Sequence, residues 1–222
     1  MCGIIGIQNN KEAATLAYMG LYAQQHRGQE GAGVVSSDGK ELHRHMGQGL
    51  VSDVFSNPEV FDSLIGSSAI GHVRYSTTGD SDPKNVGPLT FNMGEYSLSI
   101  AHNGNLVNIE RIRKQLQEDG ALFQTSTDTE IIIHLLAREK GKTLAEKLGK
   151  VLQKIEGAYS LILLSPYEII AARDPHGIRP FCMGKLRDTI IFASETCALD
   201  LLGAEYVREV NPGEMIVANG DG

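Results

Sequence analysis

The sequence predicts an α+β fold, and three observations carry that prediction. Short β-branched segments bounded by glycine or turn residues come in runs before and after a block of helical patterning. The joins between neighbouring strand segments are of hairpin scale, and no internal repeat or Pro/Ser-rich linker divides the 222 residues. Antiparallel sheets packed under helices satisfy that order, whereas a doubly wound parallel sheet needs a helix between successive strands. The length is within single-domain range, a little above the usual ~150 residues.

Taken in order, Gly3 to Ile7 and Gly31 to Ser36 have the look of buried strands, and between them Lys11 to Gln25 repeats small and apolar residues at helical spacing. Further strands are expected at Ala69 to Tyr75 and Tyr96 to Ala101. Asn108 to Gln117, Asp128 to Glu139 and Leu144 to Ile155 follow as amphipathic helices, opened by Asn108, by Thr127-x-x-Glu130 and by Thr143-x-x-Glu146. Strands resume at Ala158 to Leu164, Glu168 to Arg173 and Thr189 to Ala193, with a last pair near Val207 to Val210 and Met215 to Val217.

Composition excludes several classes. Twenty basic against 27 acidic residues give a net charge of −7, with no Lys/Arg-rich run, so generic nucleic-acid binding is not expected. Apolar runs such as Ile131 to Ile133 fall far short of the ~18 to 20 residues of a membrane span, and no signal peptide opens the chain, which therefore reads as cytoplasmic. Three cysteines, Cys2, Cys182 and Cys197, form no Cys-x-x-Cys pair, which argues against a disulfide scaffold and a cysteine-based zinc site. Seven histidines lie without ligand spacing, so no catalytic metal is expected, and no glycine-rich phosphate-binding motif occurs.

Four places carry candidate chemistry. Cys2 directly follows the initiator, and cysteine is small enough for Met1 to be trimmed. Trimming gives Cys2 both a thiol and a free α-amine, nucleophile and base on one residue. An α-amine of pKa ~7.7 to 8.0 is about one third unprotonated at pH ~7.5, against roughly a thousandth of a lysine at ~10.4, so the amine is the better base. A retained methionine blocks it, and a second-position cysteine can equally be a small buried residue. Arg74 ends the segment Gly71 to Tyr75 and suits a two-pronged carboxylate clamp, or a surface ion pair. The segment from Tyr75 to Pro88 reads as a lid or as an exposed crossover. In His102-Asn103-Gly104-Asn105, the Asn103 amide and the Gly104 N–H can converge on a developing oxyanion, although Asn-Gly is also a favoured hairpin turn. Asp128 can hold an ammonium or interact with first-turn N–H groups.

The order Cys2, Arg74, Asn103-Gly104, Asp128 resembles the class II glutamine amidotransferases, which are N-terminal-nucleophile enzymes. The segments His26 to Gly33, Gly71 to Gly79, His102 to Leu106 and Arg173 to Pro180 resemble the branch of that family that opens purine synthesis, and the likeness runs from Cys2 to about Gly213. The resemblance implies a four-layer αββα sandwich that hydrolyses glutamine to glutamate and ammonia. It implies Cys2 as nucleophile with its own amine as base, and Asn103 with the Gly104 N–H as oxyanion hole. Arg74 and Thr77 then bind the glutamine α-carboxylate, Asp128 the α-ammonium, and Arg27 lies close behind the nucleophile. Glucosamine-6-phosphate and asparagine synthetases share Cys2, the arginine and the Asn-Gly pair, but not the segments around His26 and Asp174. A non-catalytic glutamine-binding domain is the alternative of another class.

Members of that branch carry a C-terminal phosphoribosyltransferase domain that uses Mg²⁺, so residues 1–222 are expected to be one glutaminase domain of a longer chain that forms a homo-oligomer. No cofactor is expected in this part. Some relatives hold an iron–sulfur cluster, which the two cysteines besides Cys2 cannot complete, and the sequence leaves that cluster undecided.

Overall fold

Apolar residues on successive positions of the first strand, Ile4, Ile5 and Ile7, demand cover on both faces, and the architecture supplies it. A computed structural model describes residues 1–75, 82–94 and 96–220. Along the chain run β1 (Gly3–Gln8), α1 (Ala13–Ala23), a 3-10 turn at Gln25–Arg27, β2 (Gly31–Ser37), β3 (Leu42–Gln48), the short α2 (Val51–Val54) and α3 (Val60–Ser63), and β4 (Ser68–Arg74). A second 3-10 turn at Pro83–Asn85 leads to β5 (Leu89–Asn92), β6 (Ser97–Leu106), α4 (Ile109–Glu118), α5 (Thr129–Arg138) and α6 (Leu144–Leu152). Then come β7 (Gly157–Leu164), β8 (Glu168–Arg173), β9 (Cys182–Leu186), β10 (Thr189–Ala193), α7 (Thr196–Leu202), β11 (Glu205–Glu209) and β12 (Met215–Asn219).

The strands form two antiparallel sheets, ordered β11-β9-β10-β1-β4-β2-β3 and β12-β8-β7-β6-β5. Three apolar cores fix the layering. Ile5, Ile7, Val34, Val73 and Ile191 pack outward against α1 and α7, through Leu21 and Leu199. Ile100, Leu161, Leu163 and Ile170 pack against Ile131, Ile132 and Leu148 of α5 and α6. Between the sheets, Ile4, Val35, Ile70 and Phe192 meet Ala101, Ile162, Leu164 and Ile169. The result is the α+β, four-layer αββα sandwich that the resemblance implied. Among the described residues no helix is long and apolar enough to cross a membrane.

Several boundaries differ from expectation. The strand expected to end at Ala101 continues to Leu106, and Asn103 and Gly104 pair with Ser160 and Tyr159 of β7 instead of forming a hairpin turn. Partnering by a long neighbour overrides the local turn preference of Asn-Gly. Thr127 does not cap α5: Asp128 occupies that position without a side-chain cap, and the Glu130 carboxylate accepts the N–H groups of Gln124 and Thr125. Thr143 does cap α6, accepting the Glu146 N–H at 3.1 Å. Strands β3 and β5 were not anticipated, and of β9 only the strand context of Cys182 was; β3 and β5 lie at sheet edges, where His43, Arg44 and His45 or Asn92 are tolerated and apolar alternation is lost. The first helix is shorter than Lys11 to Gln25, because Gln25–Arg27 tighten into the 3-10 turn.

Candidate active site

Register brings the site together. Gly3 of β1 lies opposite Val73 of β4, so Cys2, one residue earlier, comes beside Arg74 at the end of β4. The Cys2 thiol reaches the Tyr75 carbonyl at 3.7 Å. Gly28 lets the turn after α1 lie directly on β4, since a Cβ there would come within 2.6 Å of the Arg74 carbonyl. Across the sandwich, β6 presents His102 and Gly104, and the start of α5 presents Asp128. Cys2, Arg74, His102, Gly104 and Asp128 all line one cavity of about 50 Å³.

Behind Cys2 lies a buried guanidinium. Arg27 donates through Nε to the Cys2 carbonyl at 2.9 Å, and its Nη1 is paired with Glu195. The Asn103 amide completes this arrangement, with Nδ2–H donating to the Cys2 carbonyl at 3.1 Å and Oδ1 accepting from Arg27 Nη2 at 3.1 Å. Asn103 therefore faces the backbone of Cys2.

Gly104 faces the cavity, by strand alternation. Its partner Tyr159 donates its N–H to Asp174 Oδ2 at 3.3 Å and accepts the Asp174 N–H at 2.9 Å, both on the side away from β6. Two residues along β6, the Leu106 N–H is taken by Asp128 Oδ2 at 3.1 Å. Backbone groups of Gly104 share that orientation, so its N–H points away from β7 and into the site. A Cβ at Gly104 would stand 2.2 Å from the Ala158 carbonyl oxygen and 2.6 Å from His102 Nε2, which excludes any larger residue.

Arg74 is buried, donating through Nη1 to the Asn85 carbonyl at 2.7 Å while its Nε lies 3.8 Å from Glu30. Asp128 is not engaged as a helix cap; its Oδ1 lies 3.4 Å from His102 Nδ1. Burial alone would push the His102 imidazolium down, but the Asp128 carboxylate outweighs it and holds the pKa above 6.5. Burial likewise opposes ionisation of Asp128, and His102 overcomes it, so that carboxyl titrates below 3.8. His72 is pushed down to about 3 by burial first, then by Arg74 and His102. The Met1 amine lies below 8.0 because it is partly buried, against an opposing pull from Cys2 and with help from Arg27 and Arg179.

Thr77 lies outside the described residues, as do positions 76–81 of the expected lid. The residues not anticipated are His102, as the partner of Asp128, and Glu195, as the partner of Arg27. His102 lies inside the segment His102 to Asn105, so its adjacency to Asn103 was an available signal. Glu195 is 168 positions from Arg27 and offered none. The segment Arg173 to Pro180 proves architectural: Asp174 accepts the N–H groups of His176 and Ile178, and Arg173 donates to the carbonyls of Gly177, Arg179 and Val210. Cys182 and Cys197 are free thiols in β9 and α7.

An αββα sandwich that holds a cysteine at the head of a central strand is the architecture of N-terminal-nucleophile enzymes. The family model described as "Glutamine amidotransferase domain" matches residues 72–201, and the chain belongs to that family. It is 47% identical to amidophosphoribosyltransferase of Bacillus subtilis over all of this chain and 46% of that protein. It is 48% identical to amidophosphoribosyltransferase 2, chloroplastic, of Arabidopsis thaliana, over all of this chain and 40% of that one. A solved structure of glutamine phosphoribosylpyrophosphate amidotransferase from B. subtilis, complexed with ADP and GMP, superposes with a TM-score of 0.95 at 46% identity, covering all of this chain and 48% of its own. The chain thus spans about half the length of the relatives it matches.

Proposed function

We infer that this chain hydrolyses the side-chain amide of glutamine and that, within a longer protein, the ammonia is used to make phosphoribosylamine from phosphoribosyl pyrophosphate. The single observation that carries the reading is the convergence of Cys2, Arg74, Gly104 and Asp128 on one cavity from four separate parts of the chain. The family membership and the full-length likeness to amidophosphoribosyltransferases support the substrate.

With Met1 removed, the Cys2 amine takes the thiol proton as Sγ attacks the glutamine Cδ, and a tetrahedral oxyanion forms. The amine returns that proton to the leaving nitrogen, ammonia departs, and a γ-glutamyl thioester remains. Water then attacks the thioester, glutamate leaves, and the thiol and amine are restored. Gly104's N–H is already aimed at the cavity and is assigned to the oxyanion. Asn103 is assigned beside it; its donor now serves the Cys2 carbonyl, so its share requires rotation of the amide. Arg74, with Thr77, takes the α-carboxylate and Asp128 the α-ammonium.

On this reading residues 1–222 are the glutaminase domain, and a C-terminal phosphoribosyltransferase domain with Mg²⁺ consumes the ammonia in a homo-oligomeric enzyme. A four-cysteine iron–sulfur cluster needs ligands beyond the three free thiols here. Dependence on a reduced Cys2 suits the cytoplasm. The test is ammonia release from glutamine by the wild type and by Cys2→Ala: loss of release in a variant that keeps its melting behaviour supports the reading, and retained release overturns it.

A further inference from the structure

We propose that His26, Glu195 and Cys197 form a binding site for a borderline-soft divalent cation of the zinc type, on the opposite side of Arg27 from Cys2. The three residues come from the 3-10 turn after α1, the connection following β10 and the first turn of α7. Their separation along the chain, 169 positions between His26 and Glu195, is why no ligand spacing reveals them in the sequence.

The geometry is close to what such an ion requires. His26 Nε2 lies 2.8 Å from Glu195 Oε2, and Cys197 Sγ lies 3.8 Å from the same oxygen. All three ligand atoms lie within 4.8 Å of one another. Tetrahedral zinc with usual Zn–N, Zn–O and Zn–S lengths separates N from O by ~3.4 Å and S from O by ~3.6 Å. The N–O edge must open by ~0.6 Å and the S–O edge close by ~0.2 Å, while the N–S edge, ~3.6 Å around zinc, is held within 4.8 Å here. A His–Glu hydrogen bond on a surface is ordinary. A thiol arriving at the same carboxylate oxygen is not required by it and completes an N, O, S donor set.

That donor set disfavours Mg²⁺ and Ca²⁺, which take oxygen ligands, and favours zinc. Glu195 is also pre-oriented: Oε1 is held by Arg27, which leaves Oε2 for the ion, as outer partners commonly do for ligating carboxylates. Access exists on two sides. The His26 side chain is 57% exposed, and a cleft of about 420 Å³ is lined by Glu195 and Cys197. Water takes the fourth position. On binding, the Cys197 thiol loses its proton to solvent and gives up its contacts to the Ala23 carbonyl and Glu195 Oε2, the His26–Glu195 hydrogen bond breaks, and three bonds to the ion form in their place.

The experiment uses the 222-residue chain carrying Cys2→Ala, which removes the other accessible thiol and makes the readout independent of turnover. Zinc titration followed by metal counting after dialysis should give one ion per chain, and Co²⁺ should show thiolate-to-metal charge-transfer absorption. Adding Cys197→Ser should abolish that absorption, and adding either Cys197→Ser or His26→Ala should weaken zinc binding by at least ~10-fold, the lower end of what even an outer partner contributes. Circular dichroism checks each fold, and His26→Ala, at an exposed position, carries the test if Cys197→Ser does not fold. Zinc binding unchanged in the folded variants, or binding in the wild type that disappears with Cys2→Ala alone, overturns the site.

Discussion

Arg27 Nε donates to the carbonyl of Cys2 at 2.9 Å, so the backbone of the proposed nucleophile is held by a guanidinium that is itself only 5% exposed. Glu195 neutralises that guanidinium, and Asn103 bridges it to the same carbonyl. In the proposed mechanism Arg27 acts on the reaction through the position of Cys2. Arg27→Lys keeps the charge but loses the planar fork that reaches three partners at once. Charge-assisted hydrogen bonds are worth ~1.5 to 3 kcal/mol, so kcat for ammonia release should fall by roughly 10- to 150-fold with KM little changed. A raised KM at unchanged kcat places Arg27 in substrate binding instead.

Glu195→Ala leaves a buried arginine without its carboxylate. Where both partners are buried, such a loss costs ~3 to 5 kcal/mol; the Glu195 side chain is 31% exposed, so ~1 to 3 kcal/mol is expected here. Glu195→Gln keeps an acceptor and should lose less. Chemical denaturation of both variants checks the order, and equal losses rule out the ion pair as the cause.

The oxyanion and α-group assignments predict different kinetics. Removing one oxyanion donor typically costs ~10² to 10³ in turnover, so Asn103→Ala should lower kcat by about that factor. Arg74→Ala strips a clamp made before and during the reaction, so its main effect should be a KM raised by roughly 10-fold or more. Steady-state ammonia release separates the two, and an Asn103→Ala effect confined to KM removes it from the oxyanion site.

How much of this was legible in the sequence follows the range of each interaction. The strands β1, β2, β4, β7, β8 and β10 were visible because their buried, β-branched residues are local signals. The edge strands β3 and β5 were not, since a strand with one covered face and a polar rim has no distinctive pattern. Cys2, Arg74 and Asp128 were legible as residue types at element ends. Asn103-Gly104 was legible as chemistry but ambiguous as structure, because only the pairing with β7 decides between turn and strand. Glu195 was invisible, because its place depends on how β10 runs beside β1.

Two buried histidines should leave opposite marks on stability. The pKa of His102 is raised above 6.5 in the folded chain, so its contribution is complete below pH 6.5 and is lost as pH rises through the folded value. His72 is depressed to about 3, so folding keeps it neutral and stability is lost as pH falls from 6.5 toward about 3. Asp128, titrating below 3.8, adds a further loss as pH falls through its folded value. Melting temperatures across pH should show His102→Gln flattening the decline on the alkaline side and His72→Gln flattening the decline on the acid side. Exchange of those two effects contradicts the assigned charges.

The sequence carries no glycine-rich phosphate motif, and the chain's net charge of −7 opposes a pyrophosphate. Ammonia release by the 222-residue chain should therefore be insensitive to phosphoribosyl pyrophosphate, and the chain should make no phosphoribosylamine from added ammonia. Either activity places a phosphoribosyl site within these residues.

The central claim is that Cys2, freed of Met1, is the nucleophile. The measurement that bears on it most directly is the intact mass of the chain before and after reaction with a glutamine-like electrophile, with the modified peptide mapped. The account predicts a chain lacking Met1 that gains one adduct at Cys2 and loses ammonia release in proportion to labelling. An adduct at Cys182 or Cys197, or full ammonia release from a chain that retains Met1, contradicts it.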